Sequence, residues 1–331
     1  MKYFKKYLLL SLLCISFYAC DKGENDDSNN FATGIVELPA LRNGANDVFI
    51  THSTTFNGQK VTSFSMEYDK SKKHSRWIAF RFDNQTKQQN VSRSDEPFDA
   101  DPAIGSQYQR VQADFGKQGY DRGHLCASAD RLYSREVNEQ TFYYTNMSPQ
   151  RNKFNTGIWL TLEGQVQSWG RSCTSSDTLY VVKGGTIDKE DQIRGYISND
   201  LSKPIPKYYY MALLFKKGDS FKAIAFWMEH TDTPKSTKLV DYALSIDELE
   251  EKTGIDFFPS LNDNLENALE ATYSTKAWPG LEQDPPLMIT FFSRRGILQD
   301  STTHFSILRV FSLKLIPILN SFRPSASKGS A

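Results

Sequence analysis

The pattern of apolar residues predicts an α/β fold, in which strands and helices are interspersed. Three observations carry that expectation. Ser75–Phe82 (SRWIAFRF) alternates apolar and polar residues in part and reads as a strand. Thr178–Val182 (TLYVV), just before Gly184-Gly185, is a buried-strand run, and Tyr208–Phe215 with Phe221–Met228 form a strand pair around the turn residues Lys216–Ser220. Set among these strands, Ile158, Leu162, Val166 and Trp169 recur at helical spacing. Ser245–Thr253 opens with a serine followed three residues later by Glu248, the capping pattern of a helix start.

Taken in chain order, the N-terminus comes first. Met1–Lys6 supplies three lysines, and Tyr7–Ala19 is a short apolar stretch that ends at Cys20. A basic start followed by about 7–15 apolar residues is a secretory signal and is too short to span a bilayer. The Ala19-Cys20 junction resembles a bacterial lipoprotein processing site, with Cys20 as the lipidated first residue of the mature chain. An ordinary signal peptide with an incidental cysteine is the alternative. Asp21–Asn30 (DKGENDDSNN) holds no apolar residue, as a solvated tether between a membrane anchor and a folded domain requires. The expected organisation is a signal at 1–20, a polar tether at 21–35, a domain at 36–279 and an appended tail at 280–331.

The formal net charge is zero, with 39 basic and 39 acidic residues, but the segments differ. Residues 21–278 carry 30 basic and 36 acidic residues, a net −6, whereas 279–331 carry six and three. A polybasic coat protein is thereby excluded, and an anionic substrate has to be met by a local patch. Only the N-terminal run is apolar enough to suggest a membrane segment, which excludes a polytopic membrane protein. In the tail, Phe305–Phe322 is apolar but interrupted by Arg309, Lys314 and Pro317, a poor bilayer span.

Within the domain, Phe31–Lys60 reads as irregular, and 83–120 as a polar loop folded over one face. With Cys14 removed with the signal and Cys20 lipidated, Cys126 and Cys173 remain. In an oxidising compartment they are expected to pair, closing a loop of nearly fifty residues worth roughly 4 kcal/mol in the chain-entropy model. Two buried free thiols are the alternative. No Cys-x-x-Cys or His-Glu-x-x-His pattern marks a zinc site.

The chemistry concentrates between Gly119 and Trp169. Asp121-Arg122-Gly123-His124 stands where the polar loop meets an ordered region. Asn146 lies in Tyr143–Gln150 (YYTNMSPQ), and Asn155 opens NTGIWLTLE near the start of the expected helix. On a regular helix Glu163 falls eight residues on, about 80° round the axis and ~12 Å along it. A carboxamide oxygen and a carboxylate then face one cleft at different depths. Both are hard oxygen donors, suited to Mg²⁺ or Mn²⁺.

Taken together, DRGH at 121–124, TNMSPQ at 145–150 and N-x-G-x-W-x-x-L-E at 155–163 resemble the DNA/RNA non-specific endonuclease family, the ββα-metal (His-Me finger) nucleases. The similarity runs from about His74 to Leu261 and takes in the GGTID segment at 184–188 and Asp256–Pro259. It implies a ββα-metal finger on a central antiparallel sheet flanked by helices, and an endonuclease acting on DNA and RNA with one divalent metal. Carried over by position, His124 matches the general base and Asn155 the direct metal ligand. Glu163 matches the acid that holds water beside the metal, and Arg122 the arginine of the DRGH motif. Asn146 matches the asparagine that orients the histidine region, and Arg93 is the best candidate for an upstream phosphate-binding arginine. Two positions depart from the pattern: Ala127 stands where proline is frequent, and Gln167 where some members place a substrate-binding arginine.

The residue types suit the chemistry. Neutral histidine accepts a proton from water near pH 7, and arginines pair with phosphate oxygens as planar donors. Such contacts read the backbone, so little sequence preference is expected; 5′-phosphate products are implied by the resemblance together with this geometry. The expectation is therefore an exported envelope lipoprotein, or a secreted protein, with DNA and RNA as substrates and no protein partner implied. The alternative is a non-catalytic envelope lipoprotein that holds nucleic acid or another polyanion. Intact His124, Asn155 and Glu163 favour the enzyme, because binding alone needs neither a base nor a metal ligand.

Overall fold

A computed structural model describes residues 35–95 and 98–281. The expected signal, Cys20, the tether before Ile35 and the tail after Leu281 lie outside the described residues. Among those described, no helix is long and apolar enough to cross a membrane. In chain order the strands are β1 (Asp47–Phe56), β2 (Gln59–Asp69), β3 (His74–Phe82), β4 (Asp121–His124), β5 (Met147–Gln150) and β6 (Asp177–Gly185). They continue with β7 (Ile193–Tyr196), β8 (Pro204–Pro206), β9 (Tyr208–Lys217), β10 (Ser220–Glu229) and β11 (Ala243–Leu244). The helices are α1 (Arg135–Gln140), α2 (Asn152–Phe154), α3 (Leu160–Arg171), α4 (Ile246–Thr253) and α5 (Asp263–Glu270).

Seven strands form one sheet in the order β1-β2-β3-β6-β9-β10-β11, antiparallel at every pairing. Strand alternation divides its side chains between two cores. Ile78, Phe80, Phe82, Met211, Leu213, Ile224 and Phe226 pack on one face against Leu162, Val166 and Trp169 of α3. Trp77, Ala79, Ala212, Leu214, Ala223 and Ala225 point to the other face, against Ile246 and Leu249 of α4 and Phe257. The helical spacing read at Ile158–Trp169 is thus the inward stripe of α3. Ser245 caps α4 by accepting from the Glu248 N–H, and the Glu248 carboxylate accepts in turn from the Ser245 N–H. Gly254, at φ 73°, ends that helix in the left-handed conformation glycine tolerates best.

The region expected to be irregular before Lys60 contains β1. Its inward positions are Ile50, His52 and Thr54, two of the three polar. His52 Nε2 meets Asp101 at 2.9 Å, and Thr54 hydrogen-bonds Glu136, so the polar side chains are satisfied by the overlying loop and α1. The described residues of 83–120 form no strand and cross over to the sheet's other elements. Fully buried Arg110 anchors that segment by donating to the carbonyls of Lys73 and Pro204 at 3.1 and 2.7 Å.

The expected Cys126–Cys173 bridge is not formed: both residues are buried free thiols. The Cys173 sulfur lies 3.7 Å from the Phe82 carbonyl and 3.9 Å from that of Trp169, and the Cys126 peptide is clasped by Asn146. Burial pushes the Cys126 thiol up to about 12 and the Cys173 thiol up to about 11, which suppresses the thiolate that disulfide formation requires. Neither cysteine should react with iodoacetamide in the native protein at pH 8. Both should react once it is unfolded in guanidinium without reductant, as mass mapping would show; a bridged peptide would contradict this state. At the C-terminal end Trp278 and Leu281 are both 2% exposed, and the Pro279 carbonyl accepts from Trp169 Nε1 at 2.8 Å. Packing on α3 therefore continues through Leu281.

Candidate active site

The motif residues meet in a small ββα unit laid on the sheet. Strands β4 and β5 pair antiparallel, Asp121 opposite Gln150 and His124 opposite Met147, and the chain then enters the helical stretch from Asn152 to Arg171. Gly123 is required between Arg122 and His124, since a Cβ there would sit 2.2 Å from Gln150 Oε1. On the other strand, Ser148 Oγ lies 2.7 Å from both His74 Nε2 and the Tyr209 hydroxyl, and Tyr209 donates to the Pro149 carbonyl at 2.9 Å. The Ser-Pro of TNMSPQ is therefore the attachment of the finger to β3 and β9. Arg151 N–H donates to His230 Nε2 at 2.7 Å, while its guanidinium bonds Asp232 through two nitrogens. These contacts fix where the helix begins.

That helix is not regular. Between α2 and α3 the helical path is kinked within Asn155–Trp159, where Gly157 at φ −99° and ψ −119° is not helical. A Cβ on Gly157 would lie 2.3 Å from the Thr233 carbonyl, which accepts the Ile158 N–H at 3.2 Å. A group inserted into the helical hydrogen-bond ladder is a recognised cause of such a kink. The regular-helix offset expected between Asn155 and Glu163 accordingly does not apply, although both residues still reach one cleft.

A cleft of about 510 Å³ is lined by Arg93, Asp121, Arg122, His124, Asn155 and Glu163, among others. Six sequence-derived candidates are Arg93, Arg122, His124, Asn146, Asn155 and Glu163, and only Asn146 lies outside the cleft wall. Its carboxamide accepts the Cys126 N–H at 2.8 Å and donates to the carbonyls of Cys126 and Thr141, holding the backbone two residues beyond His124.

His124 packs against Phe98 and edge-on to Phe142, with ring centroids 5.6 and 5.3 Å away. Its Nε2 is buried without a protein partner among the described residues. Burial, reinforced by the charge of Arg93, lowers its pKa to about 3, so the imidazole is neutral at physiological pH. The same two aromatic rings carry the arginines: Arg122 lies 3.9 Å above Phe98, and Arg93 4.7 Å above Phe142. Arg122 also donates to Gln112 Oε1 at 2.5 Å.

Asp121, which sequence reading passed over, orients Asn155. Asp121 Oδ2 accepts from the amide nitrogens of Asn155 and Asn152 at 2.9 and 3.0 Å. With its nitrogen so engaged, Asn155 presents its carbonyl oxygen elsewhere. Asn155, Asp121 and Glu163 form a donor set of hard oxygens, which fits a divalent cation that keeps several waters and excludes a thiolate-bound metal. Behind them, fully buried Lys183 bonds Asp130 at 2.8 Å and Glu163 at 3.2 Å. Burial raises the Glu163 pKa to about 7 against the pull of that lysine. Lys183 left a signal in the sequence, a single cation between the buried-strand run Thr178–Val182 and Gly184-Gly185.

Both departures from the motif pattern converge on Asp130. The Ala127 N–H donates to Asp130 Oδ2 at 3.0 Å, a bond proline lacks the hydrogen to make, and Gln167 donates to Asp130 Oδ1 at 2.8 Å. Alanine thus closes the turn that proline would have stiffened. Gln167 braces the carboxylate pair behind the cleft.

A family model described as DNA/RNA non-specific endonuclease matches residues 44–264. Nuclease C1 of Cunninghamella echinulata var. echinulata is 27% identical over 178 residues, covering 52% of this chain and 70% of its own length. A nuclease of Nostoc sp. is 28% identical over 218 residues, 63% of this chain and 75% of its own. The solved structure of the EndoG/EndoGI complex matches with a TM-score of 0.53 at 22% identity, over 64% of this chain and 88% of that one, a likeness of fold. The chain belongs to the DNA/RNA non-specific endonuclease family. It is an enzyme, a nuclease of a metal-dependent class whose substrates are nucleic acids.

Proposed function

We propose that this nuclease hydrolyses phosphodiester bonds of DNA and RNA with His124 as general base and one Mg²⁺ held by Asn155, leaving 5′-phosphate ends. The observation that carries the reading is one cleft in which a neutral histidine, a carboxamide with its nitrogen tied back and two aromatic-mounted arginines meet. His124 takes the proton of the attacking water: burial keeps the ring unprotonated, and its Nε2, which has no partner among the described residues, is the atom that accepts. Arg93 and Arg122 receive the non-bridging phosphate oxygens, and their mounting on Phe98 and Phe142 limits the freedom lost on binding. Asp121 aims Asn155, while Glu163, held by Lys183, keeps a water ordered beside the cation. When bound, Mg²⁺, or Mn²⁺ in its place, supplies positive charge to the phosphoryl and leaving oxygens. None of these groups reads a base edge, so sequence preference is weak.

The same reading places the enzyme outside the cytoplasm, anchored to the cell envelope by lipid on Cys20. Its support is the apolar run Tyr7–Ala19 behind three lysines and the wholly polar stretch Asp21–Asn30 after Cys20. Plasmid incubated with the purified protein should be cleaved in Mg²⁺ and left intact in EDTA, and Asn155→Ala should raise the Mg²⁺ concentration needed for half-maximal rate. Plasmid that is bound and shifted on a gel but never cut, with or without metal, would select the polyanion-binding reading instead.

A further inference from the structure

On the sheet face opposite the nuclease cleft, three carboxylates meet between two helices. Asp247 and Glu250 stand three residues apart on one side of α4, and Glu270 is the last residue of α5. One oxygen from each lies within 4.8 Å of the others. Two oxygens bound to Ca²⁺ at about 2.4 Å are separated by up to about 4.8 Å, so this spacing is what a shared calcium ion tolerates.

Burial supplies the independent observation. Glu270 is only 7% exposed, and its Oε1 has no hydrogen-bond partner among the described residues. No lysine, arginine or histidine of the described residues forms an ion pair with Asp247, Glu250 or Glu270. Glu250, Glu266, Asp247 and Asp256 all raise the Glu270 pKa further through their negative charge. Glu250 is already oriented, because its Oε1 accepts the Phe257 N–H at 2.7 Å. A buried carboxylate facing only like charge is costly unless a cation or a proton neutralises it. Exposed Asp247 leaves the group open to solvent on one side.

We propose that Asp247, Glu250 and Glu270 form a structural Ca²⁺ site that ties α4 to α5, separate from the nuclease cleft. Ca²⁺ fits better than Mg²⁺ because it accepts mono- or bidentate carboxylates in irregular geometry, whereas Mg²⁺ demands a near-ideal octahedron. The helices that it joins cover the second core through Ile246, Leu249, Leu265 and Leu269. The ion therefore acts on stability, not on the reacting phosphate.

Calorimetric titration of the full-length, EDTA-treated protein with CaCl₂, done in an Asn155→Ala background, keeps this site apart from the cleft. One Ca²⁺ should bind per chain, and the thermal midpoint should rise with Ca²⁺ up to a few mM, on the order of extracellular calcium sites. Glu270→Gln, which keeps the shape and removes the buried charge, should weaken Ca²⁺ at least tenfold and abolish the gain in midpoint. Asp247→Asn, on an exposed side chain that folding does not depend on, should weaken Ca²⁺ severalfold. Unchanged affinity in both variants would overturn the proposal, as would the absence of binding in the Asn155→Ala protein, where a proton on Glu270 would then account for the cluster. Either failure leaves the nuclease reading intact, because plasmid cleavage tests that reading by itself.

Discussion

Replacing His124 by Ala should lower plasmid cleavage at least a hundredfold while DNA binding and the thermal midpoint stay close to wild type. A general base contributes about 10²–10⁴-fold, and among the described residues no other imidazole lines the cleft. Binding should survive because the phosphate contacts are assigned to Arg93 and Arg122, which rest on Phe98 and Phe142 and not on the imidazole. The fold should survive because β4 is held through Gly123, Gln150 and the Asn146 clasp, none of which uses the His124 ring. Initial rates on supercoiled plasmid, with gel-shift affinity measured in EDTA, decide the matter. A variant retaining more than about a hundredth of the wild-type rate would remove His124 from the role of base.

What could be read ahead of the structure follows from where the sequence states its chemistry openly. β3, β6, β9 and β10 were legible because their apolar residues alternate or run together, and α4 because its capping pair is local. β1 was not, because it buries His52 and Thr54, and a polar side chain shows its inward direction only once Asp101 and Glu136 are in place. The cleft residues were legible as motif letters. Their supports were less so: Asp121 stands inside DRGH, yet its bond to Asn155 spans 34 residues. The kink at Gly157 was hidden because its cause, the Thr233 carbonyl, arrives from another part of the chain. Counting cysteines suggested a bridge, but counting carries no information on where two sulfurs lie or on how burial holds them protonated. The carboxylates of α4 and α5 carry no mark in the sequence, since only the packing of the two helices turns Glu270 inward.

The second large effect is expected at Lys183, which touches neither substrate nor metal and acts through Glu163. Lys183→Met keeps the length and apolar stem of the side chain but leaves Asp130 and Glu163 facing each other without a cation. Removing one partner of a buried ion pair costs about 3–5 kcal/mol, so the thermal midpoint should fall by many degrees at pH 8. The sign of the pH dependence follows from Glu163. Burial already raises its pKa to about 7 with Lys183 in place, and removing the lysine raises it further. A carboxyl whose folded pKa lies above its unfolded value destabilises the fold increasingly as pH rises and relieves it on protonation. The variant should therefore recover thermal stability between pH 8 and pH 6, as Glu163 takes up a proton. Activity should move the opposite way, because the ionised carboxylate is the form that orders water beside the cation. The acid limb of the rate profile should shift to higher pH than in the wild type, and Lys183→Arg, which restores a cation, should move it part of the way back. A purely structural lysine would lower the midpoint without displacing that limb, and an unshifted limb in soluble, folded Lys183→Met protein would refute its role in positioning Glu163.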